Sequence, residues 1–354
     1  MADAVPPEVL ARWSSLRGGS ARPFGTGLIN DTFRVEGSDG GALVVQRLHP
    51  VFSPAIHDDI HAVTTHLRAK GVTTPLLVPA DDGSRYVEHP RPDGSPGVWR
   101  AMTFIPDSVT WDRVPSVAVA REAGALVGTF HAALADLTHA WQGRKGRPHD
   151  TARHVAVLEK SLDEHRGHRL YGAVEPVARE LLASLRPLPD FAALPERNTH
   201  GDLKLSNLLF TREGRGLCLV DLDTVGRMVW PHELGDALRS WCNPVGEDST
   251  DTAFDVALFE AAVEGYASRA AGAVTAAEWG RLVDGVLAIC RELAARFLAD
   301  ALRESYFGWN AERYATRGDH NLVRGVGQWR LAESVRSQRP ALDAIVARAA
   351  ANAE

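Results

Sequence analysis

The most constraining feature of this sequence is one segment in which three oxygen-bearing side chains flank two short apolar runs. Asp202 and Asn207 precede the first run, and Asp221 ends the second. Runs of this length and composition predict two buried strands, and the turn between them predicts a hairpin. A hairpin would hold the loop before it close to the acid at its end. The sequence therefore predicts that these three side chains converge on one place.

Two carboxylates and an amide at one place suit phosphoryl transfer. That reaction needs a carboxylate to orient the attacking hydroxyl, and oxygen ligands to hold magnesium against the phosphates. Asp202, Asn207 and Asp221 could supply all of these groups. Lys204 could neutralise charge on the transferred group, although a surface lysine would have no such role. An ordinary loop with capping acids would also explain the segment. However, three side chains of the required types, spaced around one predicted hairpin, favour catalysis.

The residues before residue 106 predict a small antiparallel sheet with one helix. Short apolar runs alternate with glycine-rich turns, as in strands joined by hairpins. Apolar residues repeat at helical spacing from Pro54 to Ala69, and Gly71 follows as a stop signal. The expected strands begin at Phe24 and then cover residues 32–35, 42–48, 76–79, 86–88 and 98–105.

After Pro106 the pattern changes to long helices. The segments 117–137 and 281–303 each carry apolar residues on one side, and Gly124 with Gly128 would permit close packing. A chain of 354 residues is long for one core. We therefore predict an α+β protein of two lobes, with a sheet-rich N-terminal lobe at residues 1–105 and a mostly helical C-terminal lobe at residues 106–354.

Charge and composition exclude several classes of partner. The net charge is -6, from 39 basic and 45 acidic residues, so no basic surface for nucleic acid or an anionic membrane is expected. Three cysteines, without close pairing, predict buried reduced thiols. No leader segment and no membrane-spanning run is apparent, so we expect a cytoplasmic protein.

These residues resemble the aminoglycoside phosphotransferase and choline kinase family, which is related to the protein kinases. The resemblance implies a protein-kinase-like fold, use of ATP with Mg²⁺, and a small-molecule acceptor. It implies Asp202 as the catalytic base, with Asn207 and Asp221 as magnesium ligands. It also implies that His200 braces the catalytic loop.

A closer resemblance is to the N-acetylhexosamine 1-kinase branch of that family. It implies transfer of the γ-phosphoryl group to the anomeric hydroxyl of a hexose, and a substrate role for Arg239 and Arg296. For Arg296, a surface salt bridge with Glu292 is the alternative to a substrate role. The matching segments are residues 27–33, 45–48, 220–225, 235–239, 296–298 and 320–324.

The nucleotide is expected to lie between the glycine-rich turn and the segment that joins the lobes. Small residues in the turn would let backbone N–H groups approach phosphates, although a simple hairpin turn would need them as well. The joining segment resembles the hinge that receives adenine, although core packing would also explain Phe104. The expected nucleotide contacts are Gly25, Thr26, Gly27, Asn30, Gln46, Arg47, Thr103, Phe104 and Ile105.

The third strand departs from the family pattern. Gln46 stands where many kinases have a phosphate-binding lysine, and Arg47 is next to it. Strand alternation puts the two side chains on opposite faces, so either Gln46 contacts phosphate as a neutral donor or Arg47 bends inward. Asp58 or Asp59 would be the acidic partner by resemblance, although a solvated helix face also explains both.

The acceptor is the least constrained part of the prediction. Asp223 would lie on the same face as Asp221 if the strand continued, where it could bind a sugar hydroxyl; a turn-forming acid is the alternative. Arginines and aromatic residues between 303 and 339 suit a sugar better than a cation. An acidic cluster keeps a polyamine antibiotic open as the acceptor: Glu247, Asp248, Asp251 and Asp255.

The sequence thus predicts an ATP-dependent sugar kinase that acts as a monomer or homodimer. A kinase for an aminoglycoside, choline or homoserine is the alternative enzyme. The unusual Gln46 also raises the possibility of a non-catalytic nucleotide- or sugar-binding relative, against which the intact Asp202, Asn207 and Asp221 weigh.

Overall fold

The N-terminal part of the chain is an antiparallel sheet. The computed structural model describes residues 4–25, 29–37, 40–91, 93–143, 149–270 and 272–353. Every strand pair in this sheet is antiparallel, in the order β1-β2-β3-β6-β4, with β5 also paired to β6. The strands are β1 (Ser20–Pro23), β2 (Asp31–Glu36), β3 (Ala42–Leu48), β4 (Leu77–Val78), β5 (Val87–Glu88) and β6 (Val98–Thr103).

The first strand ends where the sequence predicted that it would begin. β1 occupies Ser20–Pro23, and Phe24 follows it, so the predicted start at Phe24 was wrong. All four residues of β1 are exposed at the edge of the sheet. An edge strand without a buried face has no apolar alternation, and the sequence pattern therefore lacked a signal for it.

One face of the sheet is covered by the short helix α1 (Pro7–Leu10). Phe33, Val45 and Ala101 form a compact apolar cluster there with Val9 of that helix. The opposite face carries Gln46 and Arg100, which are partners in the register of β3 with β6. The sheet therefore has one apolar face and one face with polar side chains.

The helix after β3 packs on the C-terminal part of the chain as well as following the sheet. α2 (Ile56–Ala69) begins two residues later than predicted and ends where predicted. Its buried residues Ile56, Ile60 and Leu67 belong to the large apolar core of the helical part. This core contains residues from both sides of residue 105. The predicted boundary between two lobes at that position therefore stays a prediction.

The C-terminal part is helical, as the sequence predicted. In the described residues no helix has the length and apolar character required to cross a membrane. Cys218, Cys242 and Cys290 are buried and unpaired. The helices are α3 (Val117–Leu134), α4 (Thr151–Glu164), α5 (Tyr171–Ser184), α6 (Trp230–Trp241), α7 (Val256–Ala267), α8 (Ala276–Trp279), α9 (Leu282–Arg303), α10 (Arg317–Ser337) and α11 (Arg339–Ala353).

Glycines set the closest helix contacts in this core. A Cβ on Gly124 of α3 would lie 1.9 Å from the carbonyl oxygen of Ala262 in α7, which confirms the predicted close packing. A Cβ on Gly285 of α9 would lie 2.0 Å from the carbonyl oxygen of Pro231 in α6. Only glycine permits these separations, and the second contact fixes α6 beside the predicted catalytic loop.

Two small two-stranded sheets lie within the helical part. β7 (Glu196–Thr199) pairs with β10 (Gly226–Val229), and β8 (Leu208–Phe210) pairs with β9 (Gly216–Leu219). The second pair is the predicted hairpin. The pairing of β7 with β10 was not predicted. It joins the segment before that hairpin to the segment after it.

Candidate active site

The hairpin brings the predicted loop and the predicted acid together. Leu208 pairs with Leu219, and the backbone N–H of Val220 donates to the carbonyl oxygen of Asn207 at 2.9 Å. Asp221 follows directly and takes left-handed backbone angles, with φ 62° and ψ 55°. That turn ends the strand, so the chain does not continue as an extended strand from Asp221 to Asp223.

Asp202, Lys204 and Asn207 form one hydrogen-bonded group. Asn207 Nδ2 donates to Oδ2 of Asp202 at 3.0 Å and to its backbone oxygen at 2.9 Å. Lys204 Nζ donates to the same Oδ2 at 3.0 Å. Because both donors reach Oδ2, Oδ1 of Asp202 is left for another partner. Oδ1 of Asn207 takes no part in these hydrogen bonds either.

Electrostatics in this region favour a bound cation. Burial raises the pKa of Asp221, and the nearby negative charges of Asp223 and Asp202 raise it further. Desolvation opposes the charge of Lys204, but Asp202, Asp221 and Asp236 outweigh it, so the pKa of Lys204 is raised. A cation beside Asp221 would relieve this accumulation of negative charge.

The oxygen ligands at this place suit Mg²⁺, which needs few protein ligands, better than a metal that is coordinated by protein side chains alone. Within the described ranges, no three His, Cys, Asp or Glu side chains are grouped to hold a metal. Mg²⁺ is usually held by one or two protein oxygens, together with water and substrate phosphates. Asp221 and the amide oxygen of Asn207 match that incomplete set.

His200 and Glu233 hold the loop that carries Asp202 and Asn207 from behind. His200 is fully buried; its Nε2 contacts the carbonyl oxygen of Val220 at 2.9 Å, and its Nδ1 accepts the backbone N–H of Asp202 at 3.3 Å. Glu233 of α6 accepts the backbone N–H groups of His200 at 2.7 Å and Gly201 at 3.0 Å. Glu233 is in the first turn of α6, where an acid often caps a helix, but here it accepts the loop amides instead.

Asp223 lies in a buried ion pair on the sheet side of the hairpin. Arg100 Nη1 donates to Oδ1 of Asp223 at 2.5 Å, and both side chains are 1% exposed. Asn30 Nδ2 donates to Oδ2 at 2.6 Å. Both carboxylate oxygens are therefore occupied. This placement disfavours the expected contact with a sugar hydroxyl, because the strand turns at Asp221 and Asp223 points into the protein.

Arg100 also holds Gln46. Its Nε and Nη2 donate to Oε1 of Gln46 at 2.9 and 2.8 Å, while Gln46 Nε2 donates to Thr32 Oγ1 at 3.1 Å. Gln46 thus keeps one amide hydrogen for a ligand. Arg47 lies on the other face, where it pairs with Asp31 at 2.5 Å and stacks over Trp99. The predicted opposite placement of Gln46 and Arg47 is observed, and Arg47 does not bend inward.

The remaining predicted nucleotide residues lie around the edge of the sheet. Asn30 connects Asp223 to the backbone N–H of His49 at 2.9 Å. Phe104 contacts Phe24 edge to face, with ring centroids 5.8 Å apart. Gly25 has a positive φ of 80°. Thr103 exchanges hydrogen bonds with Leu76, and Ile105 accepts one from Ser108. Thr26 and Gly27 lie outside the described residues.

The acids of α2 have partners other than the third strand. Asp58 pairs with Arg85 at 2.5 Å. Asp59 is fully buried and accepts hydrogen bonds from His139 and from the backbone N–H groups of Gln142 and Gly143. Neither pairs with β3, so the acidic partner implied by resemblance is absent at both positions.

The two predicted substrate arginines are in different surroundings. Arg239 is buried and donates to Asp236 at 3.0 Å and to Glu247 at 2.6 Å. It therefore neutralises acids near the catalytic loop. Arg296 lies over the rings of Phe307 and Tyr306 in a separate cavity, and it does not pair with Glu292, which binds His149 and Thr151. The surface salt bridge with Glu292, which was the alternative for Arg296, is thus absent among the described contacts.

Most of the acidic cluster is already engaged. Glu247 pairs with Arg239, and Asp248 pairs with His320 and Arg324. Asp255 caps α7 by accepting two backbone N–H groups. Among the described contacts, Asp251 is the one acid of this cluster whose carboxylate has no partner, so little acidic surface is left for a polycationic acceptor.

Arg100 and Glu233 are the residues that sequence reasoning missed. Arg100 is a charged residue inside a strand whose neighbours Trp99 and Ala101 are apolar, a pattern that could have pointed to a buried pairing. Glu233 offered no comparable signal, because an acid in the first turn of a helix is common.

Comparison with known families identifies the class. The model of the phosphotransferase enzyme family that includes aminoglycoside phosphotransferases matches residues 20–271. This chain belongs to that family and is a small-molecule phosphotransferase of the aminoglycoside phosphotransferase and choline kinase type. The match includes the sheet, the hairpin with Asp202 and Asn207, and helices α6 and α7.

Solved structures of kinases share the fold over nearly the whole chain. A microcompartment-associated aminopropanol kinase has a TM-score of 0.62 at 18% identity, covering 95% of this chain and 97% of the other. A putative aminoglycoside phosphotransferase from Ralstonia eutropha has a TM-score of 0.56 at 18% identity, covering 89% and 92%. An amicoumacin kinase, solved with AMP-PNP and Ca²⁺, has a TM-score of 0.54 at 12% identity, covering 90% and 88%.

Proposed function

We propose that this phosphotransferase transfers the γ-phosphoryl group of ATP to the anomeric hydroxyl of an N-acetylhexosamine or related hexose. The observation that carries the catalytic part is the group formed by Asp202, Lys204 and Asn207 beside Asp221. It supplies a carboxylate oxygen, a cation and two metal-binding oxygens at one place. The resemblance to the hexosamine branch supplies the acceptor.

Asp202 is the group that receives the proton. Its Oδ2 is held by Lys204 and Asn207, so Oδ1 can accept a hydrogen bond from the acceptor hydroxyl. The acceptor oxygen forms a bond to the γ-phosphorus as the bond from that phosphorus to the β–γ bridging oxygen breaks. ADP leaves, and the hydroxyl proton passes to Oδ1. Lys204 keeps its charge despite burial, since nearby acids raise its pKa, and it stabilises the negative charge on the transferred group.

Asn207 and Asp221 would hold Mg²⁺, whose chemistry is to neutralise and orient the phosphates. His200 and Glu233 keep these ligands in place by holding the backbone of the loop. ATP would lie against the sheet, with its phosphates near Gly25 and Gln46 and its adenine near Thr103, Phe104 and Ile105. In this arrangement residues 1–105 form the nucleotide-binding lobe.

Arg100 takes over part of the role of the absent lysine without touching the nucleotide. Its side chain is fully buried, so it cannot reach a phosphate. It fixes Gln46 and Asp223 instead, and so links the third strand to the segment that carries Asp221. A positive charge at this junction also opposes the raised pKa of Asp221.

The state of the acidic cluster supports a neutral acceptor. Glu247, Asp248 and Asp255 are paired or capping, so they would have to give up partners to bind an amine. A sugar needs hydrogen-bonding groups rather than free acids.

A screen of acceptors tests this proposal. ADP release is measured with N-acetylhexosamines, hexoses, amino alcohols and aminoglycosides, and each product is examined by phosphorus NMR. We expect turnover with a sugar and a phosphorus signal coupled to the anomeric proton. Turnover confined to amines would overturn the sugar proposal and leave the kinase class intact.

Replacing Asp202 tests the catalytic assignment. Asp202→Asn should lower kcat by about 10² to 10⁴-fold, the range expected for loss of a general base, with little change in nucleotide affinity. Asp251→Asn removes the same charge at an exposed position and should leave kcat unchanged. Equal turnover in the two variants would contradict the assignment.

A kinase for an amino alcohol or aminoglycoside is the second candidate. It is favoured by the similar solved structures, which include an aminopropanol kinase and a putative aminoglycoside phosphotransferase. Absence of ADP release with every acceptor, in protein that binds ATP, would instead favour a non-catalytic relative.

A further inference from the structure

A cavity of 420 Å³ lies between α4, α9 and the residues that follow α9. Its size is in the range of small-molecule binding sites. None of its lining residues belongs to the hairpin or the catalytic loop. They include Arg153 and His154 of α4, Arg296 and Arg303 of α9, and two adjacent aromatic residues, Tyr306 and Phe307.

The arginines of this cavity lack acidic partners. In the described part of the chain, no ion pair involves Arg153, Arg296 or Arg303. Most arginines around them are paired, as Arg169 is with Asp319 and Arg324 is with Asp248. Unpaired guanidinium groups that share one concave surface can bind a carboxylate or phosphate with two parallel hydrogen bonds.

The two acids that line the cavity are committed to backbone groups. Asp300 is buried and accepts hydrogen bonds from the N–H groups of Ser305, Tyr306 and Phe307, and from the side chain of Asn321. Asp150 accepts the N–H of Arg153 at the start of α4. The three arginines outnumber these two acids, so the lining carries a net positive charge.

The aromatic residues are held in fixed positions beside Arg296. Asp300 fixes their backbone, and Phe307 packs on Phe297 with ring centroids 4.4 Å apart. The guanidinium of Arg296 lies 5.3 Å from the centroid of Phe307 and 6.0 Å from that of Tyr306. Tyr306 nevertheless remains 72% exposed, so most of its surface is available to a ligand.

We propose that this cavity binds a small organic anion, in which a carboxylate or phosphate group meets Arg296 and Arg303 and a flat or C–H face lies against Tyr306. The cavity shares no lining residue with the proposed phosphoryl-transfer site, and binding there is measured without turnover. A carboxylic acid and a phosphate ester both fit, because both present paired oxygens to a guanidinium.

Calorimetric titration of the full chain in low salt tests the proposal, with benzoate, phenyl phosphate and neutral benzyl alcohol as probes. We expect at least one anion to bind and benzyl alcohol not to bind. Binding of benzoate alone identifies a carboxylate site, and binding of phenyl phosphate alone identifies a phosphate site. Failure of both anions to bind with a Kd below about 10 mM overturns the proposal.

Arginine variants locate the bound anion. Arg296→Gln and Arg303→Gln should each weaken binding by about tenfold, the loss of one charge-assisted contact. Arg68→Gln is the control, since Arg68 is an exposed helical arginine on α2 without a described ion pair. Equal binding in Arg68→Gln and both cavity variants places the anion elsewhere and overturns the proposal. Because no turnover is measured, failure here leaves the kinase proposal untouched.

Discussion

At the scale of single residues, the buried arginine of β6 has the largest consequence. Arg100 and Asp223 are separated by 123 positions in the sequence, yet each is the charged partner of the other in the interior. A buried ion pair of this kind is weak evidence for net stability, because desolvation offsets the attraction. Removing one partner is different, since it leaves an uncompensated buried charge.

Arg100→Leu should therefore destabilise the protein strongly. We expect the free energy of unfolding in urea to fall by about 3 to 5 kcal/mol, as in other buried pairs that lose one partner. Arg348→Leu is the control, because Arg348 pairs with Glu260 at the surface. It should cost less than about 1 kcal/mol. Similar losses in the two variants would argue against a buried charge at Asp223.

His57 predicts a pH dependence of stability. Burial, followed by the charge of Arg100, lowers the pKa of His57 to about 4. The unfolded chain takes up this proton near pH 6.5 and the folded chain only near pH 4, so stability is present above pH 6.5 and falls between these values. The loss between pH 7 and pH 5 should be about 2 kcal/mol.

Urea unfolding of wild type and His57→Gln at both pH values measures this effect. The variant should lose less stability than wild type on acidification, because it lacks the group that titrates. His165, which is partly exposed at the end of α4, supplies the control variant His165→Gln. An unchanged pH dependence in His57→Gln would contradict the prediction.

At the scale of elements, α6 connects the helical core to the loop that carries Asp202 and Asn207. One end of the connection is the contact of Gly285 with Pro231, and the other is the pair of hydrogen bonds from the loop amides to Glu233. A displacement of α6 would therefore move the loop. The close approach of two helices is thus linked to the geometry around Asp202.

Gly285→Ala tests that link. A Cβ there would lie 2.0 Å from a backbone oxygen, so α6 and α9 must separate. We expect a loss of about 1 to 3 kcal/mol in the free energy of unfolding, together with a lower kcat. Gly172→Ala in α5 meets open space and should be neutral or stabilising by up to about 1 kcal/mol. Full activity in a destabilised Gly285→Ala variant would show that the position of α6 does not control the loop.

At the scale of the whole molecule, the sheet and the helical part meet at the proposed site. Asn30 and Arg100 reach Asp223 from the sheet, while α2 contributes apolar residues to the helical core. A ligand that contacts both parts should therefore stabilise the complete molecule. If Asp221 is a metal ligand, the stabilisation by bound ATP should depend on Mg²⁺.

Thermal unfolding with ATP and Mg²⁺ measures this dependence. At a ligand concentration about 100 times Kd, the stabilisation should be about 2.7 kcal/mol. Asp221→Asn should lose the part that requires Mg²⁺ and keep the part seen with ATP alone. Asp251→Asn, an exposed acid without a described side-chain partner, should behave as wild type. Equal Mg²⁺ responses would contradict the ligand assignment.

Local patterns in the sequence predicted the elements near the site well. The apolar runs on either side of residues 211–215 appear as β8 and β9, and the spacing of Ile56, Ile60, Val63 and Leu67 appears as α2. These predictions succeed because periodicity reports which face of an element is buried. The edge strand β1 has no buried face, and it was misplaced for that reason.

The sequence alone determined the family, the fold class and the grouping of Asp202, Asn207 and Asp221, because a short hairpin constrains residues that are close along the chain. Only the tertiary structure decided the partners of the charged groups. Asp223 pairs with Arg100, Arg239 pairs with Asp236 and Glu247, and Arg296 faces a separate cavity. Local patterns carry no signal for such pairings, because the two partners come from distant elements and meet only when the core has formed.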